Sequence, residues 1–103
     1  MKKVIAVTAA LALLGVVGSA QAADAAAGKA KFGVCAGCHG PAGVSANPMW
    51  PNLAGQKDAY VKKQLHAFRD GTRKDPLMSP MAKPLSDADI DNLAAYVSSL
   101  PCK

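Results

Sequence analysis

The stretch Phe32 to Gly43, FGVCAGCHGPAG, holds two of the chain's three cysteines and one of its two histidines. The thiols of Cys35 and Cys38 stand three positions apart, and His39 follows the second directly. Three chemistries use such a cluster: a thiol–disulfide pair, a zinc site, or a covalently attached haem. The rest of the chain bears on the choice.

A redox C-x-x-C pair belongs to a βαβ setting. No window of this sequence alternates at period two, so no sheet is expected. That reading also leaves His39 without a role. Structural zinc needs four ligands. Cys35, Cys38 and His39 could be joined by Cys102 or His66, but adjacent Cys38 and His39 are awkward on one tetrahedral ion, and a second closely spaced pair is missing. C-x-x-C-H is also the attachment signature of c-type haem. In that reading Cys35 and Cys38 form thioethers with the two vinyl groups, and His39 is the proximal iron ligand. A sixth ligand would come from Met49, Met78 or Met81, and a Met/His pair marks electron-transfer cytochromes. Met78 and Met81 lie in DPLMSPMAKPL, a Pro-rich loop with no helical stripe for them to fill.

The chain has 103 residues. Residues 1–22 read as a secretory signal peptide. Lys2 and Lys3 open it, a largely apolar run covers Val4 to Val17, and Ala20-Gln21-Ala22 gives a small-x-small cleavage site. The run is short for a membrane span, which needs roughly 20 apolar residues. Cleavage would leave one domain, residues 23–103, exported to the periplasm, with no membrane anchor. That domain carries ten basic and seven acidic side chains, net +3. So mild a charge suits an acidic protein surface and argues against nucleic acid. A core of this size is marginal and calls for a staple, which a haem would supply.

Three helices are predicted. The first runs from about Asp24, a capping residue, to Val34. The second runs from about Lys57 to Asp70. There Val61, Leu65 and Phe68 share a stripe, His66 falls opposite it, and Gly71 ends the helix. The third runs from Asp87 to about Leu100, with Ser86 and Asp89 spaced as a capping box. Residues 40–56 and 72–85 are read as irregular loops, too long for a small domain unless a large cofactor organises them.

With GKAKFGVCAGCHGPAG, PNLAGQ, YVKKQLHAFRDGTR and MSPMAKPLSDADIDNLAAYVSSL in that order, the chain resembles a class I c-type cytochrome. Within that class it resembles the small bacterial periplasmic group that includes cytochromes c-four and c-five. The resemblance implies an all-α cytochrome c fold: three main helices and long loops around one covalently bound haem c. It implies a close crossing of the first and last helices, with Gly28 and Phe32 on one side and Leu93 and Tyr96 on the other. It places the axial methionine at Met78, seven before Leu85, with Met81 packing on the haem. It suggests that the Pro41 carbonyl holds the imidazole N–H and that Trp50, Pro51 and Leu53 wall the ring.

The function implied is one-electron transfer between redox proteins, not enzyme catalysis. The alternative is a haem-based gas-binding or sensor protein with a labile sixth ligand. A peroxidase has little support, since no distal acid–base residue stands out. Lys57, Lys62, Lys63, Arg69, Arg73 and Lys74 form a candidate basic rim for redox partners, which could include a membrane oxidase or reductase. Cys102 is left over and could link two copies.

Overall fold

A computed structural model describes residues 22–102. The signal peptide expected over 1–22 therefore lies outside the described residues, Ala22 excepted. Four helices follow in order: α1 (Ala25–His39), α2 (Asp58–Asp70), α3 (Met78–Ala82) and α4 (Asp87–Ser99). Among the described residues there is no strand.

Helix α1 begins where Asp24 accepts hydrogen bonds from the N–H groups of Ala26 and Ala27, at 2.9 and 3.2 Å. It does not stop at Val34, as expected, but runs on through His39. Gly40 ends it. Its N–H donates to Ala36 O at 2.9 Å, and its φ is 85°. A side chain there would strike the Val44 carbonyl, so glycine is required. Gly33 and Gly37 lower helix propensity, which hides the continuation in sequence.

Helix α4 starts with the expected capping box. Ser86 Oγ accepts from Asp89 N–H, and Asp89 Oδ2 accepts from Ser86 N–H, both at 3.0 Å. Helices α1 and α4 then cross at close range, as the resemblance implies. A Cβ on Gly28 would lie 2.0 Å from the Asn92 carbonyl oxygen. Phe32 meets Tyr96 edge to face, with centroids 5.3 Å apart. Asn92 Oδ1 also accepts the Asp24 N–H at 2.8 Å, which ties the start of α1 to α4.

Helix α2 buries Val61 and Phe68 on its apolar stripe and closes at Gly71, φ 83°. These side chains join Phe32, Ala82, Leu85, Ile90, Leu93, Ala94 and Val97 in one core. Cys35, Ala36, Leu53, Leu65, Met78 and Tyr96 border it, half-buried.

The two long loops carry more internal order than the sequence reading gave them. The Gly43 carbonyl accepts from both Leu53 and Ala54, at 2.7 and 2.9 Å, and Gly55 N–H donates to Val97 O on α4. The second loop contains α3, a short helix the sequence reading missed. Its carbonyl network is local: Ser79 N–H donates to Asp75 O, and Lys83 N–H to Ser79 O.

Candidate haem site

Because α1 continues through the cysteine cluster, Cys35 and Cys38 stand one turn apart on the same helix. Cys35 is half-buried and Cys38 exposed, and both are free thiols. Burial, and secondarily the neighbouring Cys38, push the Cys35 thiol above its ordinary value. A catalytic dithiol needs the opposite, a readily formed thiolate.

His39 is the one buried polar side chain among the described residues, 6 % exposed. Its Nδ1–H donates to the Pro51 carbonyl at 2.9 Å. This corrects the expectation that Pro41 would hold the imidazole. The partner lies twelve residues on, brought round by the loop that folds on the Gly43 carbonyl. With Nδ1 committed as donor, Nε2 is the nitrogen left to meet a metal, and no hydrogen bond to it is present among the described residues. A metal-bound histidine is held in this manner.

The donor set fits a covalently attached haem: two unpaired thiols one turn apart, then an imidazole whose far nitrogen is fixed and free. Zinc fits less well. Among the described residues no three His, Cys, Asp or Glu side chains converge as a metal site. Cys102 lies against Gly55, and His66 accepts a hydrogen bond from Arg69 Nη2 at 2.9 Å. His66 is thus half-buried and engaged, rather than solvated as its place opposite the stripe suggested.

Apolar side chains surround the cluster. A cleft beside Cys38 is lined by Ala36, Pro41, Val44, Ala46 and Trp50. Trp50 and Leu53 are half-buried, and Pro51 is exposed and contributes its carbonyl to His39. Val34, Leu77 and Met81 stand exposed.

The methionines differ sharply. Met78, the first residue of α3, is half-buried and packs on the core. Met81 is 41 % exposed and Met49 81 %. Asp75 fixes the approach to Met78. Its Oδ1 accepts the N–H of Leu77 at 2.8 Å and of Met78 at 2.9 Å. These N–H donors, Met78 first, hold the Asp75 carboxyl below the usual carboxylate range.

The basic residues also divide. Lys62 pairs with Asp58 at 3.0 Å and with Asp91 at 3.9 Å. Arg69 pairs with Asp87 at 2.8 Å and donates to the Leu85 carbonyl at 3.1 Å, joining α2 to the start of α4. Arg73 lies 4.4 Å over the Phe68 ring. Lys57, Lys63 and Lys74 make no ion pair with a described residue.

The cytochrome c family model matches residues 25–101. Cytochrome c-554(548) of Halomonas halodenitrificans is 51 % identical over 81 residues, covering 76 % of this chain and 98 % of that protein. Cytochrome c4 of Pseudomonas aeruginosa is 48 % identical over 90 residues, covering 86 % of this chain but 45 % of that protein. The solved cytochrome c4 of Acidithiobacillus ferrooxidans superposes with a TM-score of 0.71 at 41 % identity, over 76 % of this chain and 50 % of that one. The chain therefore spans nearly all of the first relative and about half of the other two. The helical fold, the C-x-x-C-H cluster closing α1 and these likenesses agree: the chain belongs to the cytochrome c family, the class I c-type cytochromes that bind haem c and carry electrons.

Proposed function

We propose that this chain is a periplasmic monohaem electron carrier with Cys35 and Cys38 as the thioether residues and His39 and Met78 as axial iron ligands. The observation that carries the reading is the His39–Pro51 hydrogen bond. It leaves Nε2 as the free nitrogen of a buried imidazole that directly follows the two thiols. The half-burial of Met78 against the core, beside exposed Met81 and Met49, supports Met78 as the sulfur donor. The leader-like segment over 1–22 supports export.

Haem c supplies a one-electron couple when bound. The chain's residues set its conditions. His39 keeps its Nδ1 proton on the Pro51 carbonyl, so electron transfer requires no proton movement at that nitrogen. The apolar side chains Leu53 and Met78 by the core and Trp50 by the cleft would shield a bound haem from water, which would favour its less charged state. A methionine sulfur opposite histidine raises the potential. Lys57, Lys63 and Lys74, free of ion pairs with described residues, are the charges through which a redox partner with an acidic face would dock.

Intact mass of the protein matured in an exporting bacterial host tests the assignment. One haem is expected per chain, retained under denaturing conditions, and lost in Cys35→Ala/Cys38→Ala. Full haem retention in that double variant would overturn the thioether assignment.

A further inference from the structure

The segment that presents Met78 reads in sequence as a proline-rich loop, yet it is closed by four hydrogen bonds, three from two side chains to the backbone and one within the backbone. Asp75 Oδ1 accepts from the N–H groups of Leu77 and Met78, at 2.8 and 2.9 Å. Ser79 Oγ accepts from Asp75 N–H at 3.0 Å, and Ser79 N–H donates to Asp75 O at 3.0 Å. Asp75 therefore caps the turn that leads into α3, whose own cap position, Leu77, has no side-chain hydrogen bond. Pro76 fits the first position after the cap, where its missing N–H costs nothing. Leu77 and Met78 occupy the next two positions, whose N–H groups a cap is meant to satisfy.

We propose that Asp75, with Ser79 as its partner, is a positioning residue for the sixth iron ligand: the clamp fixes the Met78 backbone at the start of α3, which would hold its sulfur ready for a bound haem. The inference rests on Met78 being that ligand. Its physical basis is preorganisation. Five-residue α3 is too short to hold itself in water. Arg73, two residues before Asp75, hydrogen-bonds Gln64 and lies over Phe68, so it acts on the carboxylate only through its charge, and the hydrogen bonds come from the two backbone N–H groups. Removing the carboxylate frees both donors next to Met78 and lets the turn unwind. A weaker hold on Met78 favours any external ligand that competes for the sixth position.

The test is a titration of the ferric holoprotein with imidazole, following loss of the weak far-red band of a methionine-bound ferric haem. In Asp75→Ala the apparent imidazole affinity should rise about fivefold, the factor that corresponds to losing one helix cap. Asp75→Asn keeps an acceptor oxygen and should recover most of the wild-type value. Ser79→Ala should shift it in the Asp75→Ala direction by less, and serves if Asp75→Ala does not mature. Asp89→Ala removes the carboxylate half of the α4 capping box instead, the Ser86 N–H acceptor, and lowers stability without changing the imidazole affinity. Equal affinity in wild type, Asp75→Ala and Ser79→Ala would overturn the inference, as would an equal rise in Asp89→Ala. Met78→Ala separates this from the underlying assignment. If the far-red band survives that substitution, the assignment of Met78 itself fails. If the band is lost there and Asp75→Ala still titrates as wild type, only the clamp fails.

Discussion

Gly28 on α1 stands so close to Asn92 on α4 that a Cβ at position 28 would lie 2.0 Å from the Asn92 carbonyl oxygen. Backbone, not a flexible side chain, occupies the space, so it cannot step aside. Gly28→Ala should force the helices apart and destabilise by at least about 1–3 kcal/mol, the usual cost of overpacking. Thermal unfolding of the holoprotein, compared with Gly33→Ala on the open side of the same helix, checks this. An unchanged melting temperature in Gly28→Ala would mean the crossing is looser than described.

Gly43 governs the loop that brings the Pro51 carbonyl to His39. Its φ is 72°, and its carbonyl accepts from both Leu53 and Ala54. Gly43→Ala should cost about 1–2 kcal/mol from the left-handed backbone alone. Its added Cβ would also press on Ala54 N at 3.0 Å. Because the shift is passed to the His39–Pro51 bond, the reduction potential should move together with stability. A destabilised variant with the wild-type potential would uncouple the loop from the imidazole.

Acid should loosen the start of α4 through Asp89. The Ser86 N–H, then the Ser86 hydroxyl and Lys31, hold the Asp89 carboxyl below its ordinary value against a smaller cost of burial. The folded state therefore binds this proton less readily than the unfolded chain does. The resulting stability is complete above the ordinary aspartate range and fades as pH falls through about 3.9 and below. Denaturant unfolding of wild type and Asp89→Asn should differ clearly at pH 6 and converge toward pH 3. A difference that grows on acidification would contradict the assignment.

Oxidation of the reduced protein by ferricyanide, a small anion, reads out the basic surface. Its rate should fall with ionic strength. Lys63→Glu and Lys74→Glu should slow it further at low salt, while Lys62→Gln should have less effect because Asp58 and Asp91 already offset that charge. A rate independent of salt would remove these lysines from any docking role.

The capping box at Ser86, the stripe of α2 and the Gly28 crossing were legible because each is local or rests on a resemblance spanning the whole domain. Other features were not. The extension of α1 over Cys35 to His39 was hidden by two glycines that the helix tolerates. The clamp at Asp75 was hidden among prolines, although Asp before Pro, with N–H groups at the next two positions, is a cap signal that could have been read. The Pro51 carbonyl has no signature in sequence, since any residue supplies one, and only the folding of residues 40–55 selects it. Arg69 and His66 meet within one helix, but the reach of Arg69 to Leu85 and Asp87 depends on how α2 lies against α4.

The most direct measurement is the optical spectrum of the reduced, fully matured protein before and after carbon monoxide. The account expects a low-spin c-type spectrum that the gas leaves unchanged in wild type, and that the gas shifts in Met78→Ala. A wild-type spectrum shifted by carbon monoxide would show an open or labile sixth position, and would contradict the assignment of a firmly bound Met78.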